Sequence, residues 1–140
     1  MSRLNTPTTI DAAPTATHTS LKAVEKQLGR VPNMFRVVAN SPAALTGYLQ
    51  LSAASAQGGL GTATLERIAL AVAEINGCDY CLAAHSFLGR KVAKLDDAEL
   101  TANRSGASND PKADAAVRFA AAVVRQRGPV SYTHLTLPTK

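Results

Sequence analysis

The stretch from Thr62 to Ile75 constrains the fold more than any other part of the chain. Leu65, Ile68, Val72 and Ile75 recur at helical spacing and share a face. Ala69, Leu70, Ala71 and Ala73 then make the segment apolar nearly all round. A helix of that kind has little surface suited to water and belongs in the middle of a bundle. Alanine is the best helix former and packs closely without filling much volume. The spacing predicts a helix from Thr62 or Ala63 to about Ile75, broken by Asn76-Gly77.

Shorter periodic segments surround it. Leu21, Val24 and Leu28 share one face of a segment from Ser20 to Leu28 that stops at Gly29. Pro32 fixes a turn, and a short helix from Met34 to Ala39 follows. Ser41-Pro42 is a helix start, with serine as N-cap and proline at the first position. That helix runs to about Ala56 and stops at Gly58-Gly59. A further helix starts near Cys78 and reaches about Val92. Asp96 with Glu99 has the form of a capping box, and Asp110-Pro111 caps a last helix ending at Arg127-Gly128. No segment reads as a strand and none repeats. With 140 residues, 46% hydrophobic and only 4% aromatic, the chain is expected to be all-α. The expected architecture is one bundle of about six helices over residues 20–130, behind a flexible arm over residues 1–19.

The final residues have a different character. Ser131 to Thr139 has none of the Ala-rich helical pattern and resembles a translated sequencing adapter. The expectation is that residues 131–140 are a non-native tail and that the helical domain is truncated near Val130. Helices missing after that point would leave apolar surface uncovered and weaken subunit assembly. At the other end, the first twenty residues lack the apolar segment of a secretory signal. No run of about 18 apolar residues suggests a membrane span, so a cytoplasmic protein is expected.

The net charge is +5, but the basic residues are scattered: Lys22, Lys26, Arg36, Arg67, Lys94 and Arg104 are typical. They form no block and are not interleaved with aromatics, which disfavours a nucleic-acid partner. Arg36 is read either as an attractant for an anionic substrate or, at least as readily, as a surface residue, and Met34 and Phe35 as packing rather than as the border of a pocket. His18 in the arm and His134 in the tail are not candidates for catalysis.

The two cysteines carry the chemistry. In Cys78-Asp79-Tyr80-Cys81-Leu82-Ala83-Ala84-His85, the cysteines stand at i and i+3, and Cys81 and His85 at i and i+4. On a helix all three line one face, and the sulfurs can form a disulfide. Cys78, just after Gly77, lies near the positive end of the helix dipole, which favours its thiolate. His85 exchanges protons near neutral pH. A thiol, a neighbour that traps its sulfenic acid and a proton carrier suffice for peroxide reduction. Glu66 and Glu74 are both candidate acids, and spacing does not choose between them. Haem attachment is disfavoured because Leu82, not histidine, follows the second cysteine. A zinc-binding module using Cys78, Cys81 and His85, with Glu66 as a fourth ligand, is the alternative from another class. A purely structural pair is a third.

Glu66, followed after eleven residues by Cys78-x-x-Cys81-x-x-x-His85, resembles the signature of the alkylhydroperoxidase AhpD-like family of the carboxymuconolactone decarboxylase superfamily. Leu28 to Arg36, Ser41-Pro42 and Ile68 to Cys78 are similar to its peroxidase-related branch. The resemblance covers roughly residues 21–130 and implies an all-α fold assembled into trimers or hexamers. It implies that Cys81 attacks peroxide, Cys78 resolves, and Glu66 with His85 relays protons, which favours Glu66 over Glu74. A hydroperoxide substrate, an external dithiol reductant of the lipoyl or thioredoxin type, and no bound cofactor or metal are implied with it. A non-enzymatic redox sensor would use the same cysteines. Better-studied members of the family have histidine where this chain has Tyr80, and a phenol hardly shuttles protons at pH 7. The decarboxylase members lack the cysteine pair, so decarboxylation is not expected.

Overall fold

The computed structural model describes residues 4–127. The adapter-like stretch over residues 131–140, His134 and the expected truncation near Val130 lie outside the described residues. Those described form seven α-helices and no strand, as the alanine-rich periodicity requires. They divide into two compact units, one up to Gly58 and one from Gly59 onward. Gly58-Gly59, which the sequence marks only as a helix stop, is therefore also a unit boundary.

The first unit holds α1 (His18–Leu28), α2 (Asn33–Val38) and α3 (Pro42–Ala56). Leu21 and Val24 bury the inner face of α1, and Gly29 ends it in the left-handed conformation that glycine tolerates. Leu28, expected on the same face, is largely exposed. The Ser41 hydroxyl accepts the Ala44 N–H, with Pro42 at the first position of α3. Ala13, Leu21, Val31, Ala39 and Leu45 form the core, with Phe35 and Leu49 packed against it. Phe35 also meets Tyr48 edge-on, with ring centroids 5.8 Å apart. Packing, not a pocket, is where Phe35 is found.

Residues 5–17, which composition presents as an arm, pack into this unit. Ala13 and Thr17 are buried, and a 3-10 turn spans Thr15–Thr17. Arg36 donates to the carbonyls of Val31 and Thr8, and Asn40 donates to that of Asn5. His18 Nε2 donates to the Ala13 carbonyl at 2.9 Å. Small side chains give a weak sequence signal, but they let the segment lie close to the helices, and long side chains from α2 and beyond then satisfy its backbone.

The second unit is built around α4 (Thr62–Ile75), which packs against α5 (Asp79–Lys91), α6 (Asp97–Arg104) and α7 (Pro111–Arg125). The central place expected for α4 is the one it takes. Its deepest residues are Leu70, Ala71 and Ala73, while Leu65, Ile68, Val72 and Ile75 are half-buried. Leu70, Leu95 and Leu100 form one core cluster, joined by half-buried Leu82. α7 buries Ala113, Val117 and Ala121, a stripe at i, i+4 and i+8. Gly89 is the close-approach point of α5: a Cβ there would stand 3.0 Å from Leu100 Cδ2.

Glu99 holds α4, α6 and the loop before α7 together. The capping box is half formed: Asp96 accepts the Glu99 N–H at 2.8 Å, but the Glu99 carboxylate turns inward. Its Oε1 accepts from Arg67 Nε, Asn103 Nδ2 and the Ser108 hydroxyl, and its Oε2 from the Asn109 N–H. Burial by itself would raise this carboxyl, but the bonds from Ser108, Asn103, Arg67 and Asn109 outweigh it and hold the pKa at about 2.

Candidate active site

The turn between α4 and α5 builds the sulfur site. Gly77 has φ of +61°, a conformation that costs a side-chain-bearing residue and admits glycine freely. It reverses the chain so that the Cys78 N–H donates back to the Ala73 carbonyl at 3.0 Å. Cys78 is then the N-cap of α5, and its sulfur accepts the Cys81 N–H at 3.3 Å. Cys78 and Cys81 are joined as a disulfide, with Cα atoms 5.3 Å apart. Both sulfurs therefore sit at the positive end of α5, Cys78 as its cap and Cys81 in its first turn. The dipole favours thiolate at both positions in the reduced form, which softens the sequence-based distinction in favour of Cys78.

His85 lies one helical turn beyond Cys81. Its Nδ1 donates to Glu66 Oε2 at 2.8 Å, across from α4. The glutamate side chain is 15% exposed and the imidazole 33%, so the pair is partly buried with the imidazole the more accessible member. A carboxylate on Nδ1 fixes the neutral tautomer and leaves Nε2 to accept or return a proton. Glu74 stands elsewhere. Arg104 donates to it at 2.6 Å on the surface, and that bond lowers its pKa. The choice that spacing left open is thus made by geometry: Glu66, not Glu74, meets His85.

Tyr80 points outward and is 53% exposed. Among the described residues, no group of three or more His, Cys, Asp and Glu side chains is arranged to hold a metal ion. The four ligands considered for zinc are instead engaged pairwise, sulfur with sulfur and His85 with Glu66. A shallow polar cleft of about 250 Å³ lies beside Arg67, Lys94, Glu99 and Asp110 and includes none of the sulfur-site residues. No helix among the described residues is long and apolar enough to cross a membrane.

Sequence reasoning missed Glu99 as an organiser of this region. Its carboxylate fixes Arg67, the residue after Glu66, and so fixes how α4 sits against α6. The capping-box pattern assigned the Glu99 side chain a local task, so nothing in the sequence pointed to a partner 32 residues away.

No curated protein matches the chain. A model of the carboxymuconolactone decarboxylase family matches residues 41–122, which include Glu66, both cysteines and His85. With more than half its length matched, and with an all-α unit that carries the cysteine pair at a helix N-terminus, the chain belongs to the carboxymuconolactone decarboxylase family.

Proposed function

We propose that this protein is a thiol-dependent, peroxidase-like oxidoreductase that reduces hydroperoxides through a Cys78/Cys81 dithiol–disulfide cycle. The observation that carries the reading is a one-turn disulfide at the N-terminus of α5, with His85 one turn further along that helix and held by Glu66 from α4. In the reduced protein, His85 Nε2 takes the Cys81 proton while Glu66 stabilises the imidazolium. The thiolate attacks a peroxide oxygen; the S–O bond forms and the O–O bond breaks. His85 returns its proton to the departing alkoxide, which leaves as an alcohol. Peroxide is reduced by two electrons and the Cys81 sulfur is oxidised to a sulfenic acid. Cys78 then displaces hydroxide from that sulfur, forming the disulfide and, with its own proton, water. An external dithiol of the lipoyl or thioredoxin type supplies two electrons and two protons to restore both thiols.

No bound cofactor enters this cycle. A reducing compartment such as the cytoplasm suits a pair that must be re-reduced at every turn. Assembly into a trimer or hexamer belongs to the same reading. The test is peroxide consumption with candidate dithiol donors in the parent, Cys81→Ser and Cys78→Ser. Turnover that disappears in both variants supports the cycle; variants that match the parent overturn it. A parent that cycles between dithiol and disulfide without consuming peroxide would be a redox sensor instead.

A further inference from the structure

We propose that the exposed face of α5 is a contact between two copies of this chain, paired antiparallel about a twofold axis. Six exposed residues define the face: Asp79, Tyr80, Ala83, Phe87, Arg90 and Lys91. At 100° per residue they fall within about a third of the helix circumference. Tyr80, Ala83 and Phe87 stand at i, i+3 and i+7, the spacing of a helix–helix seam. The two rings are 53% and 60% exposed, and they sit on one helix of a chain whose aromatic content is only 4%.

The charges on this face are self-complementary. Asp79 opens α5, and Arg90 and Lys91 close it. Asp79 and Arg90 are eleven residues apart, about three full turns, and therefore occupy the same flank of the seam. In an antiparallel pair like flanks meet, so symmetry produces two Asp79–Arg90 contacts, one at each end. Parallel pairing would bring unlike flanks together, setting Arg90 against Lys91 and leaving Asp79 without a basic partner. Ala83 lies near the crossing, where a small residue lets the helix axes approach, and Tyr80 of each copy then meets Phe87 of the other. Arg90 already gives Nε and Nη2 to Asp97 at 2.9 and 2.7 Å, so the contact with Asp79 of the other copy falls to Nη1.

A contact made by one thirteen-residue helix from each copy falls at the small end of specific interfaces, in the range of weak association. It serves as a weak dimer or as one contact of a larger ring. Of the two assemblies in the proposed reading, a cyclic trimer has no twofold axis and a hexamer built from dimers has three. The choice of hexamer rests on that reading; the twofold contact does not.

Sedimentation velocity on the whole chain over a concentration series tests it. The parent is expected to associate into even-numbered species. Asp79→Arg and Arg90→Asp, each alone, should raise the dissociation constant on the order of tenfold. An equimolar mixture of the two variants should recover the parent's affinity, because in the mixed pair both contacts are attractive. Circular dichroism checks that each variant keeps its helices. If either unfolds, Phe87→Ser provides the test by weakening association without a charge change. A parent that stays monomeric, an assembly indifferent to these changes, or a mixture no tighter than its components overturns the proposal. Peroxide turnover measured on the same samples bears on the redox cycle alone, so the two readings fail separately.

Discussion

Replacing Glu99 with glutamine removes one charge from the cluster that ties α4 to α6. The Glu99 side chain is 8% exposed and that of Arg67 is 12% exposed. Glutamine keeps the shape, but its NH2 replaces an accepting oxygen. Oε1 accepts from Arg67, Asn103 and Ser108, and Oε2 accepts from the Asn109 N–H. Whichever way the amide is turned, its NH2 confronts a donor. Arg67 is left with Asp110, at 3.7 Å. Removing one member of a buried pair costs about 3–5 kcal/mol, and Asp110 offsets part of that, leaving a loss of about 3 kcal/mol. The proton equilibrium leads to the same size: a carboxyl held at about 2 rather than 4.5 corresponds to roughly 3 kcal/mol. Because the folded-state value is depressed, that stability is complete above the unfolded value and disappears as pH falls toward the folded one. Urea unfolding followed by circular dichroism should therefore show Glu99→Gln about 3 kcal/mol less stable than the parent near neutral pH. The two stabilities should converge between about pH 5 and pH 2. A neutral-pH loss under about 1 kcal/mol, or curves that stay parallel on acidification, would refute the account of the cluster.

Three further outcomes follow from the same geometry. Leu70→Ala, at a fully buried position of α4, should lower unfolding free energy by about 2–5 kcal/mol; a change within about 0.5 kcal/mol, the surface range, would mean that the cluster with Leu95 and Leu100 does not stabilise the unit. Gly77→Ala places a side chain at φ of +61° with nothing within 4 Å of its Cβ, so the backbone alone should cost about 1–2 kcal/mol; thermal melts that coincide with the parent's would contradict this. Glu66→Gln keeps the size of the partner of His85 Nδ1 but removes its charge, and should slow peroxide turnover by about 10²-fold if that pair moves protons. Unchanged turnover would leave the pair a structural contact only.

The parts legible in the sequence are those set by neighbours along the chain. Ser41 before Pro42, Asp96 before α6 and Asp110 before Pro111 cap helices through bonds to residues two or three positions on. The sulfur turn is of this kind as well. Gly77 supplies the left-handed step, and the i, i+3 spacing brings Cys78 and Cys81 together. Less legible were segments whose order depends on distant partners. Residues 1–19 read as an arm because Thr, Ala and Pro carry little apolar area. Bonds from Arg36 to Thr8 and from Asn40 to Asn5 cross 28 and 35 residues.

By itself, then, the sequence determined an all-helical chain and a dithiol on one helix face with a histidine beyond it. Hydrophobic period, caps and turn residues act over a few positions and need no third dimension. Spacing left two carboxylates open and the family resemblance favoured Glu66; tertiary structure is what brings that carboxylate to the histidine. Glu66 and Glu74 are both on α4, and the packing of α5 against α4 determines which of them meets His85. It also turned Glu99 from a helix-start residue into a buried anchor for Arg67. In each case the deciding quantity is the distance between side chains on different helices, which follows from how the helices pack and not from their spacing along the chain.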